Sequence, residues 1–171
     1  MRHARAYPLA ALAGVAALIG CALHGEAALR AGLEDQFHIG DTLYFESKLT
    51  CTAAVFRADQ NDPRPDFPLF DSLEEAQDTY VATGLAGLRI SGKSPHQITD
   101  ALLATPSGML GQQALAAAAQ VEPCITPAIS RGLKFAMTRP GALLAYDRAL
   151  SGLIVIDPLE RKLFFAAGDP I

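Results

Sequence analysis

The sequence predicts a small α+β domain with an N-terminal strand, three to four helices and a C-terminal three-stranded antiparallel meander. Three observations carry this reading. Residues 42–57 alternate in character and are rich in Thr, Tyr, Phe and Val, the side chains that fit a pleated surface. Two Ser-led helix starts, at Ser72 and Ser94, follow in the middle of the chain. Near the end, three apolar runs of strand length are separated by turn residues.

Taken in order, Leu43, Phe45, Leu49, Cys51, Ala53 and Val55 share one parity, which predicts a single half-buried strand over 42–57. Residues 59–71 hold Pro63, Pro65 and Pro68 and predict a loop, because proline suits neither a helix interior nor a central strand. Ser72 with Glu75 reads as a capping box, opening a helix that runs through Leu73, Ala76, Tyr80 and Val81 to the breakers Gly84 and Gly87. A short strand is expected at Leu88-Arg89-Ile90. Ser94-Pro95-His96-Gln97 repeats the capping signal with proline at the first helical position. Thr105-Pro106 opens a further helix running to about Gln120, and a short one is expected between Pro127 and Met137. Ala142–Tyr146, Leu153–Ile156 and Leu163–Ala166 form the meander, with helices on one face of the sheet.

The N-terminus has a different character. Met1-Arg2-His3-Ala4-Arg5 precedes an apolar run over Ala6–Ile19, which ends in Leu18-Ile19-Gly20-Cys21. A basic start, an apolar run and small residues before a cut site make an export signal over residues 1–20. The last four residues resemble the lipobox of bacterial lipoproteins. The resemblance covers this segment alone and implies that Cys21 is the lipidated first residue of the mature chain. It also implies an oxidising, periplasmic setting, and Ala22 rather than Asp after the cysteine points to the outer membrane. The competing reading is an uncleaved anchor helix over residues 6–24. Arg2 and Arg5 lie on the N-terminal side, so under either reading the rest of the chain leaves the cytoplasm. Residues 21–40, Ala- and Gly-rich with mixed charge, read as a tether, and 41–171 as a single periplasmic domain.

Past the signal, twelve Lys and Arg stand against eighteen Asp and Glu. A net acidic domain without Trp lacks the basic footprint of a nucleic-acid binder. Cys51 and Cys124 remain as an even pair, which in an oxidising compartment predicts a disulfide. No His lies at ligand spacing from either cysteine, so no metal site is expected.

Gly87 to Ser94 matches the phosphate-loop pattern G-x-x-x-x-G-K-[ST], and Leu153–Asp157 could serve as its metal-holding strand. The expected helix before Gly87 and strand inside the motif argue for a β-to-α turn instead, so nucleotide binding stays a remote alternative. Neither Ser107-Gly108 nor Ser151-Gly152 has the context of a nucleophile elbow. No catalytic residue and no cofactor are predicted. In the proline-rich loop, Phe67, Leu69 and Phe70 are candidate anchors for an envelope protein partner. The expected role is a cell-envelope lipoprotein that binds or scaffolds without catalysis. The alternative is a single-pass, membrane-anchored accessory subunit.

Overall fold

The computed structural model describes residues 22–168. The expected export signal and Cys21 lie outside the described residues, as does all of the possible anchor helix except 22–24, which is not helical. Among the described residues, no helix is long and apolar enough to cross a membrane.

The chain forms a mixed α+β domain with five α-helices and a seven-stranded sheet. The order along the chain is α1 (Glu26–Glu34), β1 (Phe37–Ser47), β2 (Cys51–Pro63), β3 (Leu69–Phe70), α2 (Leu73–Thr83), β4 (Leu85–Leu88), α3 (Pro95–Leu103), α4 (Met109–Gln120), a 3-10 turn (Glu122–Cys124), α5 (Pro127–Thr138), β5 (Leu143–Asp147), β6 (Gly152–Asp157) and β7 (Lys162–Gly168). The strand order is β1-β2-β7-β6-β5-β4-β3, antiparallel throughout except for the β3–β4 pair.

The meander β5-β6-β7 is present and forms the middle of this sheet. Every residue of β5 and β6 is buried. Continuous apolar runs such as Leu153-Ile154-Val155-Ile156 bury side chains in both directions and therefore need cover on both faces. This corrects the expectation of helices on one face. Leu144, Tyr146, Leu153, Val155, Phe164 and Ala166 point into a core formed with α2 to α5. Leu143, Ala145, Ile154, Ile156, Leu163 and Phe165 point the other way, to Leu29 and Leu33 of α1 and to Phe67.

The single strand expected over 42–57 is instead the hairpin β1–β2, reversing through Lys48-Leu49-Thr50. The Lys48 amide donates to the Cys51 carbonyl (2.8 Å), closing a turn with none of the usual Gly, Asn, Asp or Pro. The segment expected as a tether carries α1, whose Leu29 and Leu33 are fully buried one turn apart, so the folded domain begins well before residue 41. β2 continues into the proline-rich segment as far as Pro63. Its pairing with β7 stops at Arg57–Lys162, and beyond that it pairs only with β1. Proline is tolerated there because one side of the strand has no neighbour.

Local capping follows the sequence in part. Ser94 makes the full box: its hydroxyl accepts from the Gln97 amide, and the Gln97 side chain accepts from the Ser94 amide (3.4 and 3.0 Å). Ser72 accepts from Glu75 without the reciprocal bond. α2 ends at Gly84 in the left-handed region (φ 84°), where a Cβ is unfavourable. Gly87 then lies inside β4, three residues earlier than the strand was expected. α4 starts at Met109 rather than Thr105, because the Thr105 hydroxyl closes a separate turn by accepting from the Gly108 amide.

The two tight connections of the meander are built alike. Asp147 Oδ1 accepts from the amides of Ala149 and Leu150, and Asp157 Oδ1 from those of Leu159 and Glu160. Each turn then passes through a left-handed residue, Ser151 or Arg161. Both carboxylates are buried, and the remaining oxygens meet Gln36 and Arg139. These aspartates hold turns.

Candidate functional site: a tyrosine-lined cleft and the N-terminal clasp

α2 and α4 touch each other on one face of the sheet, and α4 packs on β5 and β7. Between them lies a cleft of about 470 Å³. Such a volume falls within the range of small-molecule sites. Tyr80 of α2 and Tyr146 of β5 form its floor, packed edge to face with ring centroids 5.9 Å apart. The Arg148 guanidinium lies 4.9 Å from the Tyr80 ring centroid, and Arg148 also donates to the Tyr80 carbonyl (3.4 Å). The face of an aromatic ring is electron-rich and holds the cation in place. Gln113 and Gln120 line the α4 wall, and Val81 and Met109 form an apolar rim. Gly168 brings the end of β7 so close to α4 that a Cβ would strike Gln120.

The Tyr146 hydroxyl donates to Gln113 Oε1 (3.3 Å). Burial first, then the neighbouring Tyr80 and Asp147, push its ionisation up to about 12, while Arg148 opposes them. At neutral pH it is therefore a fixed neutral donor. The polar lining residues are two tyrosines, two glutamines, Arg148 and Ser151, and none carries a carboxylate, imidazole or thiol. Ser151 donates to the Arg148 carbonyl (3.3 Å), with no base beside it. Such a set can hydrogen-bond a polar or anionic group. It lacks the nucleophile–base pair of acyl transfer.

A second cluster lies at the same end of the sheet. The Leu23 amide donates to the Lys48 carbonyl (2.8 Å), and the His24 amide to Ser47 Oγ (3.1 Å). His24 Nε2 meets the Leu150 carbonyl at 2.9 Å, and Nδ1 meets Thr52 Oγ1 at 3.0 Å. A carbonyl only accepts, so Nε2 carries the proton. Burial lowers the imidazole's pKa, although the bond to Leu150 works the other way. The neutral ring then accepts at Nδ1 from Thr52, which in turn accepts from Ser47 (2.7 Å). Each donor is used once and the cycle closes. The ring also packs edge-on against Phe165, with centroids 5.5 Å apart. Nothing local to Leu23-His24 signals this clasp, because its partners come from residues 47–52 and 150.

Cys51 and Cys124 form a disulfide, with Cα atoms 6.0 Å apart. It ties the start of β2 to the 3-10 turn after α4, and the Tyr44 hydroxyl donates to the Cys124 carbonyl beside it (2.8 Å). Phe67, Leu69 and Phe70 do not form an exposed triad. Phe67 is 8% exposed and tilts against Phe37 at 4.9 Å between centroids. Gly87 lies beneath it, where a Cβ would meet the ring at 2.5 Å. Leu69 and Phe70 form β3 and are partly buried, one against each core. A proline-fixed loop over an apolar sheet face folds inward, since burying an aromatic ring stabilises more than exposing it.

Four amides of the phosphate-loop pattern are already engaged. The amides of Gly87, Arg89, Lys93 and Ser94 donate to the carbonyls of Pro68, Phe70 and Ile90 and to the Gln97 side chain. Arg89 itself pairs with Asp62 (2.5 Å). Among the described residues, no group of three or more His, Cys, Asp or Glu is placed to hold a metal ion. No family model matches the chain, and neither a curated protein nor a solved structure is similar to it.

Proposed function

We propose that the chain is a cell-envelope lipoprotein, anchored through Cys21, whose folded domain binds a small polar or anionic ligand without transforming it. The observation that carries the binding role is the cleft lining: two tyrosines, two glutamines and an arginine held by Tyr80, without a catalytic pair. A guanidinium fixed in this way loses little freedom when it meets a carboxylate or phosphate.

The non-helical Ala22–His24 segment supports the lipidated form over the accessory subunit on an anchor helix. A span ending before Ala22 has sixteen uncharged residues from Ala6, about 24 Å of helix. A bilayer core is about 30 Å thick. The engaged amides of Gly87, Arg89, Lys93 and Ser94, and the strand β4 running into the pattern, count against the nucleotide-binding alternative.

Mass spectrometry of the protein extracted from its host's membranes tests the anchor. The expected N-terminus is an acylated Cys21, lost in Cys21→Ala; an intact Met1 would favour the accessory-subunit reading. Thermal-shift titration with inorganic phosphate and with citrate tests the cleft. A stabilisation by either probe that disappears in Arg148→Gln is expected, and no response to both probes counts against it.

A further inference from the structure

The clasp fixes where the folded domain stands relative to its anchor. Leu23 and His24 are held at the turn of the β1–β2 hairpin by two backbone donors and two ring bonds. Only Ala22 separates Leu23 from Cys21. Two residue steps of extended chain reach about 7 Å. An acyl chain on Cys21 therefore enters the bilayer within a side chain's length or two of Lys48 and Leu49.

The hairpin turn has the chemistry for that position. Leu49 is 66% exposed at its tip, with no partner among the described residues. Beside it, the half-exposed Lys48 ammonium donates to the Pro123 carbonyl and stands 4.0 Å from the Glu46 carboxylate. An apolar side chain next to a cation fits the boundary between acyl chains and anionic headgroups. The same end of the sheet carries Gly168 opposite Cys51, and Gly152 opposite Ala167. Arg148, Ser151 and Gly168, all in the cleft lining, cluster there too.

We infer that this end of the domain docks on the lipid bilayer, with the Leu49 turn seated in the headgroup region and the cleft opening toward the membrane. The inference rests on the acylation of Cys21 proposed above. Its occupant is the bilayer surface itself. The domain has no free tether on which to tumble away from it.

The test uses the full acylated chain in vesicles of phosphatidylethanolamine and phosphatidylglycerol. Leu49→Cys carries an environment-sensitive nitrobenzoxadiazole label, attached without reducing the native disulfide. Leu159→Cys is the reference, an equally exposed leucine (69%) in the turn at the far end of β6. Lipid-borne doxyl groups should quench the label at residue 49 at least threefold more than at residue 159, with blue-shifted emission at 49 alone. A Thr50→Cys label repeats the reading one residue along the turn. Equal, water-like emission at residues 49, 50 and 159 in a chain whose mass shows an acylated Cys21 overturns the docking and leaves the anchor standing. A mass without acylation removes the anchor, and the docking with it.

Discussion

The two faces of the central sheet are covered by different numbers of helices. On one, four helices lie close on small side chains: Ala53, Ala86, Ala114, Ala117, Ala136 and Ala166 are all buried there, and Gly111 of α4 fits against Leu102 and the backbone of α3. On the other, α1 is the single helix, and large rings make up the volume: Phe37, Phe56, Phe67 and Phe165. Interiors must reach crystal-like density by either route. The contrast is one of degree: the crowded face also buries Tyr80, Tyr146 and Phe164, and the sparse one Ala54, Ala58, Ala145 and Ala167. The anchoring differs as well. The crowded face is fixed covalently by Cys51–Cys124, whereas the sparse face depends on α1 and the His24 clasp.

Three experiments sharpen this contrast. Replacing both Cys51 and Cys124 with Ser should have the largest effect. The bridge spans 73 positions, and releasing a loop of that size costs about 4 kcal/mol in the chain-entropy account. Urea unfolding of the soluble domain reads this directly; a loss below about 1 kcal/mol would mean that helix packing alone holds that face. Next, Leu33→Ala removes a fully buried side chain from the lone helix of the other face. A loss of about 3 kcal/mol is expected. Hydrogen exchange should show α1 opening while α3 and α4 stay protected, and uniform opening would deny that the faces are separable. The smallest effect belongs to His24. Its imidazole is neutral in the folded state, with its pKa below the ordinary 6.5. As the pH falls below about 6.5 the unfolded chain takes up the proton first, so folding stability declines until the folded imidazole also titrates. The His24→Gln variant should lose that part of the pH dependence in urea midpoints measured at pH 7 and pH 5.

The same contrast explains which parts of the fold were legible. Leu153–Ile156 and Leu163–Ala166 were readable as strands because apolar runs ended at Asp157-Pro158 and similar breaks. That these runs were apolar in both parities already implied cover on both faces. The cover itself was hidden, since α1 shows little beyond Leu29 and Leu33 in an Ala- and Gly-rich segment. The β1–β2 reversal escaped because Lys48-Leu49-Thr50 contains no turn-forming residue and continues the alternation on either side. The disulfide was readable from the two cysteines left once Cys21 is set aside as the expected lipidation site. The cleft was not: Tyr80, Gln113 and Tyr146 come from three elements far apart in the chain, and each alone is an ordinary residue of its helix or strand.

The order in which the strands are made adds a constraint of another kind. β7, last in the chain among the described elements, is third in the sheet, between β2 and β6. A ribosome or translocon delivers β1 and β2 first, and they must wait for more than a hundred residues before Cys51 finds its partner Gly168. Throughout that interval β2 presents an apolar strand with an open edge, the form most prone to wrong pairing. A chain stopped before Lys162 would leave two separate ribbons, β1–β2 and β6-β5-β4-β3, with no strand between them. Closure of this sheet thus waits on β7, after every other described strand has been made, and until then the first hairpin keeps an edge open.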